Sequence, residues 1–330
     1  MKRILAVLVV FAFVVLGTMS TASGSHGQRG AEISELASFG ILGSGSTIGP
    51  DGALYVTDGD MGRVLRIDPR TGAISTFAQG LPPEIAGIGG AMDVAFIGRT
   101  AYVLVTLVGP SVGGNPADTV GIYRINSNGS FTVIADIGAW SLANPPDTDF
   151  FVPTGVQYAI QAYWGGFLVT DGHHNRVLRV TLGGHVSEVV AFGNVVPTGL
   201  EVIATKVYMG QAGPVPHLPE NGKVVSFHTW WPTARQVAQG ASMIVDVEFG
   251  PWFKLYALSQ GEWDGVAEGS PALMNTGRLV QVKKNGSFAP VVDKSGAEIM
   301  LDRPTSLEFI GDTAYVVSLT GNVYKIKNVS

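Results

Sequence analysis

Residues that could act together chemically fall in a few places along the chain. Asp93 and Asp246 recur in one local pattern, Met92-Asp93-Val94 and Val245-Asp246-Val247, where related segments carry Gly155, Gly199 or Ser306. Two carboxylates facing each other could hold a divalent cation or ordered water. Their plainer role is to accept backbone N–H bonds near a strand start. His173 and His174 follow Asp171, and a histidine pair beside a carboxylate has the donor chemistry of a transition-metal site. His217 and Glu220 could complete such a cluster. Neighbouring residues on a strand point to opposite sides, so both histidines chelate only from an irregular loop. Glu262-Trp263-Asp264 sets an indole between acceptors, and Trp140 lies in another long segment. An aromatic plane beside acceptors suits a sugar or a flat ligand, although covering a core is the commoner work of tryptophan.

Other chemistry is absent from the sequence. The chain has no cysteine, so it offers no thiolate and no disulfide framework. No G-x-S-x-G elbow stands in a strand–turn–helix context. Asn128-Gly129-Ser130 and Asn285-Gly286-Ser287 match glycosylation sequons, but two-residue hairpins account for both. A net charge of -5 leaves no basic footprint for nucleic acid. The same acidic balance argues against an anionic membrane surface as the main target.

The elements that must position these residues are short strands. A motif with an aromatic or apolar centre recurs as Leu54-Tyr55-Val56, Ala101-Tyr102-Val103, Phe167-Leu168-Val169, Val207-Tyr208-Met209, Leu255-Tyr256-Ala257 and Ala314-Tyr315-Val316. After a variable loop each is followed by a second motif, such as Arg63-Val64-Leu65-Arg66-Ile67 or Arg176-Val177-Leu178-Arg179-Val180. Its alternation of apolar and polar residues is that of a half-buried strand. One strand precedes each pair and another follows a tight turn, with Asn128-Gly129 and Asn285-Gly286 supplying positive φ. Four antiparallel strands repeated in this way predict an all-β fold, a six-bladed β-propeller with four-stranded blades. No long helical periodicity occurs outside the N-terminal segment. The last unit has three strands, ending at Ile326, and Glu32 to Phe39 reads as a spare strand. The spacing therefore predicts a ring closed by this N-terminal strand, which leaves no blade edge unpaired.

The N-terminus reads as a targeting segment. Lys2 and Arg3 precede an apolar run from Ile4 to Leu16, and Ser20-Thr21-Ala22 gives a small-residue cleavage site. The run is shorter than the ~20 residues of a membrane span. The organisation is then a signal peptide at 1–24, a flexible lead-in at 25–31 and one propeller domain at 32–330. The product is expected to be secreted or periplasmic, without a membrane span after signal removal, and monomeric.

Gly49-Pro50-Asp51-Gly52-Ala53-Leu54-Tyr55-Val56 and Gly62-Arg63-Val64-Leu65-Arg66-Ile67 resemble NHL-type propeller repeats, as do Val152-Pro153-Thr154-Gly155 and Val196-Pro197-Thr198-Gly199. The order of these variants resembles the ScyD/ScyE family of exported propellers, named for scytonemin pigment gene clusters. That resemblance implies the fold and export and carries no catalytic residues. Gluconolactonase-like propellers hold a divalent metal in the channel through a glutamate, asparagines and an aspartate. Asp246 is a match to the aspartate, but the companion asparagines are missing from the inner strands.

In a propeller, the connections between second and third strands share one end with those between blades. Leu107 to Thr119, Gln211 to Asn221, Gln260 to Thr276 and the interblade segment Asp136 to Phe151 are long and all belong there. Any binding surface is expected on that face, holding a polar small molecule, a glycan or a protein. The sequence reads as a binding module more than as an enzyme. The alternative is a metal-dependent hydrolase or lactonase using channel carboxylates, with Asp93 and Asp246 as candidate cation ligands.

Overall fold

The computed structural model describes residues 30–40, 42–85, 87–267 and 269–329. The signal peptide expected at 1–24 lies outside the described residues, as does most of the lead-in. The chain forms six antiparallel sheets arranged as the blades of a propeller. Blade one comprises Gly43–Ile48, Leu54–Asp58, Arg63–Ile67 and Ile74–Gln79. Blade two comprises Gly90–Ile97, Thr100–Thr106, Gly121–Ile125 and Phe131–Asp136. Blade three comprises Gln157–Ala162, Gly166–Asp171, Arg176–Thr181 and Val186–Ala191. Blade four comprises Pro197–Ile203, Lys206–Gln211, Lys223–His228 and Trp231–Gln239. Blade five comprises Ile244–Phe249, Leu255–Ser259, Gly277–Val282 and a short outer strand, Phe288–Pro290, with Met300–Leu301 added on the same edge.

Blade six takes three strands from the C-terminus, Pro304–Ile310, Thr313–Ser318 and Asn322–Lys327, and its fourth from the N-terminal side, Glu32–Ser38. The closing strand runs antiparallel in a register from Glu32↔Lys327 to Ser38↔Asn322, with one bulge between Glu35 and Ala37. Two backbone bonds extend the seam, Phe39 N to Gly321 O at 3.0 Å and Leu42 N to Leu319 O at 2.8 Å. The Tyr315 hydroxyl of blade six donates to Pro69 O of blade one at 3.1 Å.

The core is a set of layers, one at each blade interface. Tyr55 and Val64 of blade one pack with Val94 and Val103 of blade two. Tyr102 and Leu104 meet Phe167 and Val169 between blades two and three. Similar layers fill the interfaces from blade three to six, and Tyr315 and Val317 pack on Leu54 and Val56 to complete the circle. The second and third strands of each blade are therefore apolar on both faces, while the innermost strand turns polar residues to the channel and the outer strand keeps a solvated face. Each fully buried Leu, Val or Phe in these layers contributes roughly 1.5–3 kcal/mol.

Three details differ from the sequence reading. The position equivalent to Asp93 in blade three is Ala159, not Gly155: Asp93 bonds Ile160 N as Asp246 bonds Leu307 N, so Ala159 corresponds to Ser306. Gly155 sits before the strand at φ 74°, where a Cβ would strike the Asp171 carboxylate. The segment after Asp136 forms a short helix, Ile137–Ala143, capped by the Asp136 side chain, which accepts from Ala139 N. Blade five's outer strand is cut short by Pro290, which has no N–H to donate.

The seam makes a specific demand at Gly321. Its φ is +77°, and a Cβ there would lie 1.7 Å from Gly40 O. Gly321→Ala should therefore cost about 2 kcal/mol or more in chemical denaturation. Gly183→Ala, where the nearest atom to the new Cβ is 3.9 Å away, should be close to neutral. Equal effects of the two changes would contradict this seam geometry.

Candidate functional site

The inner strands of the six blades line a central channel, and equivalent positions on them form rings. One ring consists of Gly45, Asp93, Ala159, Gly199, Asp246 and Ser306, from blades one to six in order. Asp93 Oδ1 accepts from Val94 N at 2.8 Å and Oδ2 from Ile160 N of the next blade at 2.8 Å. Asp246 repeats this with Val247 N and Leu307 N, both at 2.8 Å. Ser306 Oγ does the same for blade one, accepting from Ser46 N at 3.0 Å. The glycines follow from the aspartates: a Cβ at Gly45 or Gly199 would lie 2.1 Å from Oδ1 of Asp93 or Asp246 respectively. These carboxylates stitch neighbouring blades together at strand bulges, where register shifts leave inner-strand amides without ladder partners.

Tyr158 of blade three reaches across this level, and its hydroxyl donates to Thr305 O of blade six at 3.3 Å. Blades three and six lie on opposite sides of the ring, so the phenol spans the channel between the two aspartates. Burial, then the Asp246 and Asp93 charges, push its hydroxyl far above the ordinary tyrosine range.

Two residues further along the inner strands lies a second ring, which the sequence reading did not single out: Thr47, Ala95, Gln161, Glu201, Glu248 and Glu308. The three glutamates come from consecutive blades and stand opposite Tyr208, Tyr256 and Tyr315 in the strand register. Gln161 Nε2 donates to Glu201 Oε2 at 3.3 Å. Glu248 and Glu308 line the channel with Asp93, Asp246 and Tyr158. Burial raises all these carboxyls, and repulsion from neighbouring carboxylates adds to it at Asp93, Glu201, Glu248 and Glu308. Glu201 is pushed up to about 7, first by burial and then by Asp246. Asp246 is also pushed up to about 7, with its backbone bonds opposing the burial. The signal was present in the repeats Leu200-Glu201-Val202, Val247-Glu248-Phe249 and Leu307-Glu308-Phe309.

The donor set of the channel does not fit a resident divalent cation. Among the described residues no three His, Asp or Glu side chains converge on a point where a metal could sit. Both oxygens of Asp93 and of Asp246 already accept backbone N–H bonds.

His173 and His174 are also engaged. His173 Nε2 accepts from Phe151 N at 2.9 Å and Val152 N at 3.1 Å. His174 is buried, with Nε2 3.0 Å from Val152 O and Nδ1 2.9 Å from an Arg176 amine. Arg176 can only donate, so Nδ1 is the acceptor and Nε2 carries the proton. Arg176 also bonds Asn144 O and Ser141 Oγ, lies 3.5 Å from Asp171, and covers the Trp140 ring at 4.8 Å. Trp140, His173 and His174 thus hold the helix and its interblade segment onto blade three.

His217, Glu262 and Trp263 do come together. The loop 211–221 of blade four and the loop 260–276 of blade five border a groove of about 1070 Å³, part of it open to solvent. His217 packs edge-on against Trp263, with centroids 6.1 Å apart. Pro216 and Leu218 continue one wall, and Arg278, paired with Glu298 at 2.7 Å, stands on the other. The Trp263 Nε1–H is satisfied within its own loop by Ser270 Oγ at 2.9 Å, leaving the ring as the contact surface. Asp264 accepts from Val266 N and the Ser270 hydroxyl, so it shapes the loop and does not line the groove.

No protein-family model and no curated protein matches the chain. Many solved structures share its fold. A gluconolactonase from Xanthomonas campestris is similar at 10% identity and a TM-score of 0.61, over 90% of this chain and 89% of that one. An aldose sugar dehydrogenase from Streptomyces coelicolor, in its PQQ-bound form, has 13% identity and a TM-score of 0.56, over 90% and 98%. Virginiamycin B lyase from Staphylococcus aureus has 12% identity and a TM-score of 0.52, over 90% and 99%. The class to which the fold assigns the chain is the six-bladed β-propeller, and at these identities the likeness carries the fold alone.

The channel carboxyls have a consequence for stability. An unfolded glutamate ionises near pH 4.3, whereas Glu201 keeps its proton in the fold to about pH 7. The folded state therefore binds more protons between these values, and stability falls as pH rises from about 4 to about 7. Glu201→Gln should leave stability at pH 4 nearly unchanged and raise it at pH 8 by roughly 1–2 kcal/mol. Calorimetry at the two pH values checks this; an equal effect at both would refute a proton held by the fold.

Proposed function

We propose that the protein is an exported propeller that binds a glycan or a similarly polar small molecule in the groove between blades four and five. The observation that carries this reading is the convergence there of an indole face, an imidazole, a free carboxylate at Glu262 and a guanidinium–carboxylate pair at Arg278 and Glu298. A sugar offers an apolar ring face for Trp263 and hydroxyls for the charged rim. The apolar N-terminal run and small-residue site support export, and the repeat order supports kinship with the ScyD/ScyE family. The hydrolase alternative draws on Glu201 and Asp246, carboxyls poised near neutrality. It ranks second because the channel aspartates are committed to backbone amides and Tyr158 spans the space between them.

Thermal-shift screening against soluble oligosaccharides, followed by calorimetric titration, tests the proposal. Trp263→Ala should weaken binding of any hit about tenfold, and Glu262→Gln by less. Affinity unaffected by Trp263→Ala would remove the groove from consideration. Lactone hydrolysis that needs a divalent cation and disappears in Asp246→Ala would favour the hydrolase reading instead.

A further inference from the structure

The end of the propeller opposite the long loops carries turns joining first to second and third to fourth strands. The latter lean onto the rim of the preceding blade, as Gln239 N bonding Gly286 O at 3.1 Å shows. In blades three to five these turns hold four of the six tryptophans, Trp164, Trp230, Trp231 and Trp252. None is packed away: Trp231 is 69% exposed, Trp164 73%, and Trp252 and its neighbour Phe253 each 85%. Leu182 and Ile203 are exposed in the same sector.

The tryptophans of blades three and four form one surface. Trp164 Nε1 donates to Ala204 O at 3.1 Å, the Tyr163 hydroxyl meets Thr229 Oγ1 at 2.7 Å, and Trp230 stacks on His228 at 4.9 Å. Their presentation is also strained. Trp164, Ala204, Trp252 and Phe253 have φ of 33°, 55°, 60° and 54°, a region that bulky side chains avoid. Glycine would relax these turns, yet two tryptophans and a phenylalanine are held there pointing into solvent, where they earn no burial.

Charge sorts with the aromatics. The turns at 163–165, 182–185, 203–206, 228–231, 250–254 and 283–287 contain no Asp or Glu. They hold Lys206, Lys254, Lys283 and Lys284, and Arg179 braces Trp164 by donating to its carbonyl at 2.7 Å. Among the described residues none of these five cations forms an ion pair. The long loops of the opposite end show the reverse: 107–119, 136–151, 211–221 and 260–276 contain no Lys or Arg, but carry Asp118, Asp147, Asp149, Glu220, Glu262 and Asp264. The overall charge of -5 conceals this division between the two ends.

We infer that the turn end of blades three to five docks on the surface of an anionic lipid bilayer, its indoles in the headgroup layer and its unpaired lysines on lipid phosphates. Indoles placed at an apolar–aqueous boundary with adjacent cations are the chemistry of interfacial anchoring. A glycan platform would bring carboxylate or carboxamide acceptors beside the rings, and these turns offer only Asn285. Docking this way turns the acidic long loops away from the lipid. The inference does not depend on what the groove binds.

Fluorescence of the full chain with vesicles whose acyl chains are brominated tests it, because the quencher reports only indoles that enter the lipid. Vesicles of phosphatidylcholine with phosphatidylglycerol should quench the emission, and phosphatidylcholine alone should quench it far less. Trp140 and Trp263, on the loop end, supply the unquenched remainder. Lys254→Glu/Lys283→Glu/Lys284→Glu should weaken the response to anionic vesicles roughly tenfold or more. Trp230→Ser/Trp231→Ser/Trp252→Ser should lose most of the quenching even where the apolar N-terminal run keeps the chain on the vesicle. Circular dichroism verifies that both variants fold, and the salt sensitivity of wild-type quenching gives a reading that needs no variant. Emission indifferent to anionic vesicles, or quenched equally in wild type and both variants, overturns the inference. Emission that shifts with soluble polysaccharide and not with vesicles would assign the platform to glycan and overturn it as well.

Discussion

A blade cannot stand alone. Its second and third strands are apolar on both faces, and each face is covered only when another blade lies against it. Six such contacts can all be satisfied at once in a closed circle, and the circle closes where Glu32–Ser38 joins the strand Asn322–Lys327. The pairing completes the last sheet with residues from the other end of the chain. It occupies the edge that Asn322–Lys327 would otherwise expose, and it seats blade six against blade one through Ala37, Leu54 and Tyr315.

Closure also creates the channel and its cost. Six inner strands meeting around an axis must bend at bulges, and each bulge frees an amide. Asp93, Asp246 and Ser306 take up those amides from the next blade, and glycines at 45 and 199 leave room for the carboxylates. The glutamates at 201, 248 and 308 crowd together one level further along, in a space whose burial and like charges favour the protonated form. The channel is thus a stitched seam at one level and a reservoir of unfavourable charge at the next.

The ring could be read from the sequence because it depends on repetition. Tyr55, Tyr102, Tyr208, Tyr256 and Tyr315 mark the same strand in five blades, and the three-stranded remainder at the C-terminus implied a partner from the N-terminal side. The place of Asp93 and Asp246 on opposite sides of the axis followed from counting blades. What could not be read were relations set by loop paths. Pro153-Thr154-Gly155 resembles Pro197-Thr198-Gly199, yet extra residues before the strand shift it off the ring, so Ala159 takes the position. His173 and His174 carry metal-ligand chemistry in one dimension, but the fold spends their nitrogens on Phe151, Val152 and Arg176. The meeting of His217 with Trp263 needed the course of two irregular loops from different blades. The exposed indoles were visible as letters, but only strand order shows that four of them share one end.

The two ends of the ring therefore offer different chemistry, acidic long loops bordering a groove and basic turns bearing exposed aromatics, while the wall between them is held by closure. The most direct test of that wall is equilibrium unfolding and sedimentation of the chain lacking Glu32 to Phe39. Loss of the cooperative transition, or association through the bared edge of Asn322–Lys327, is the expected result. A deleted protein as stable and as monomeric as the intact chain would contradict the closed ring.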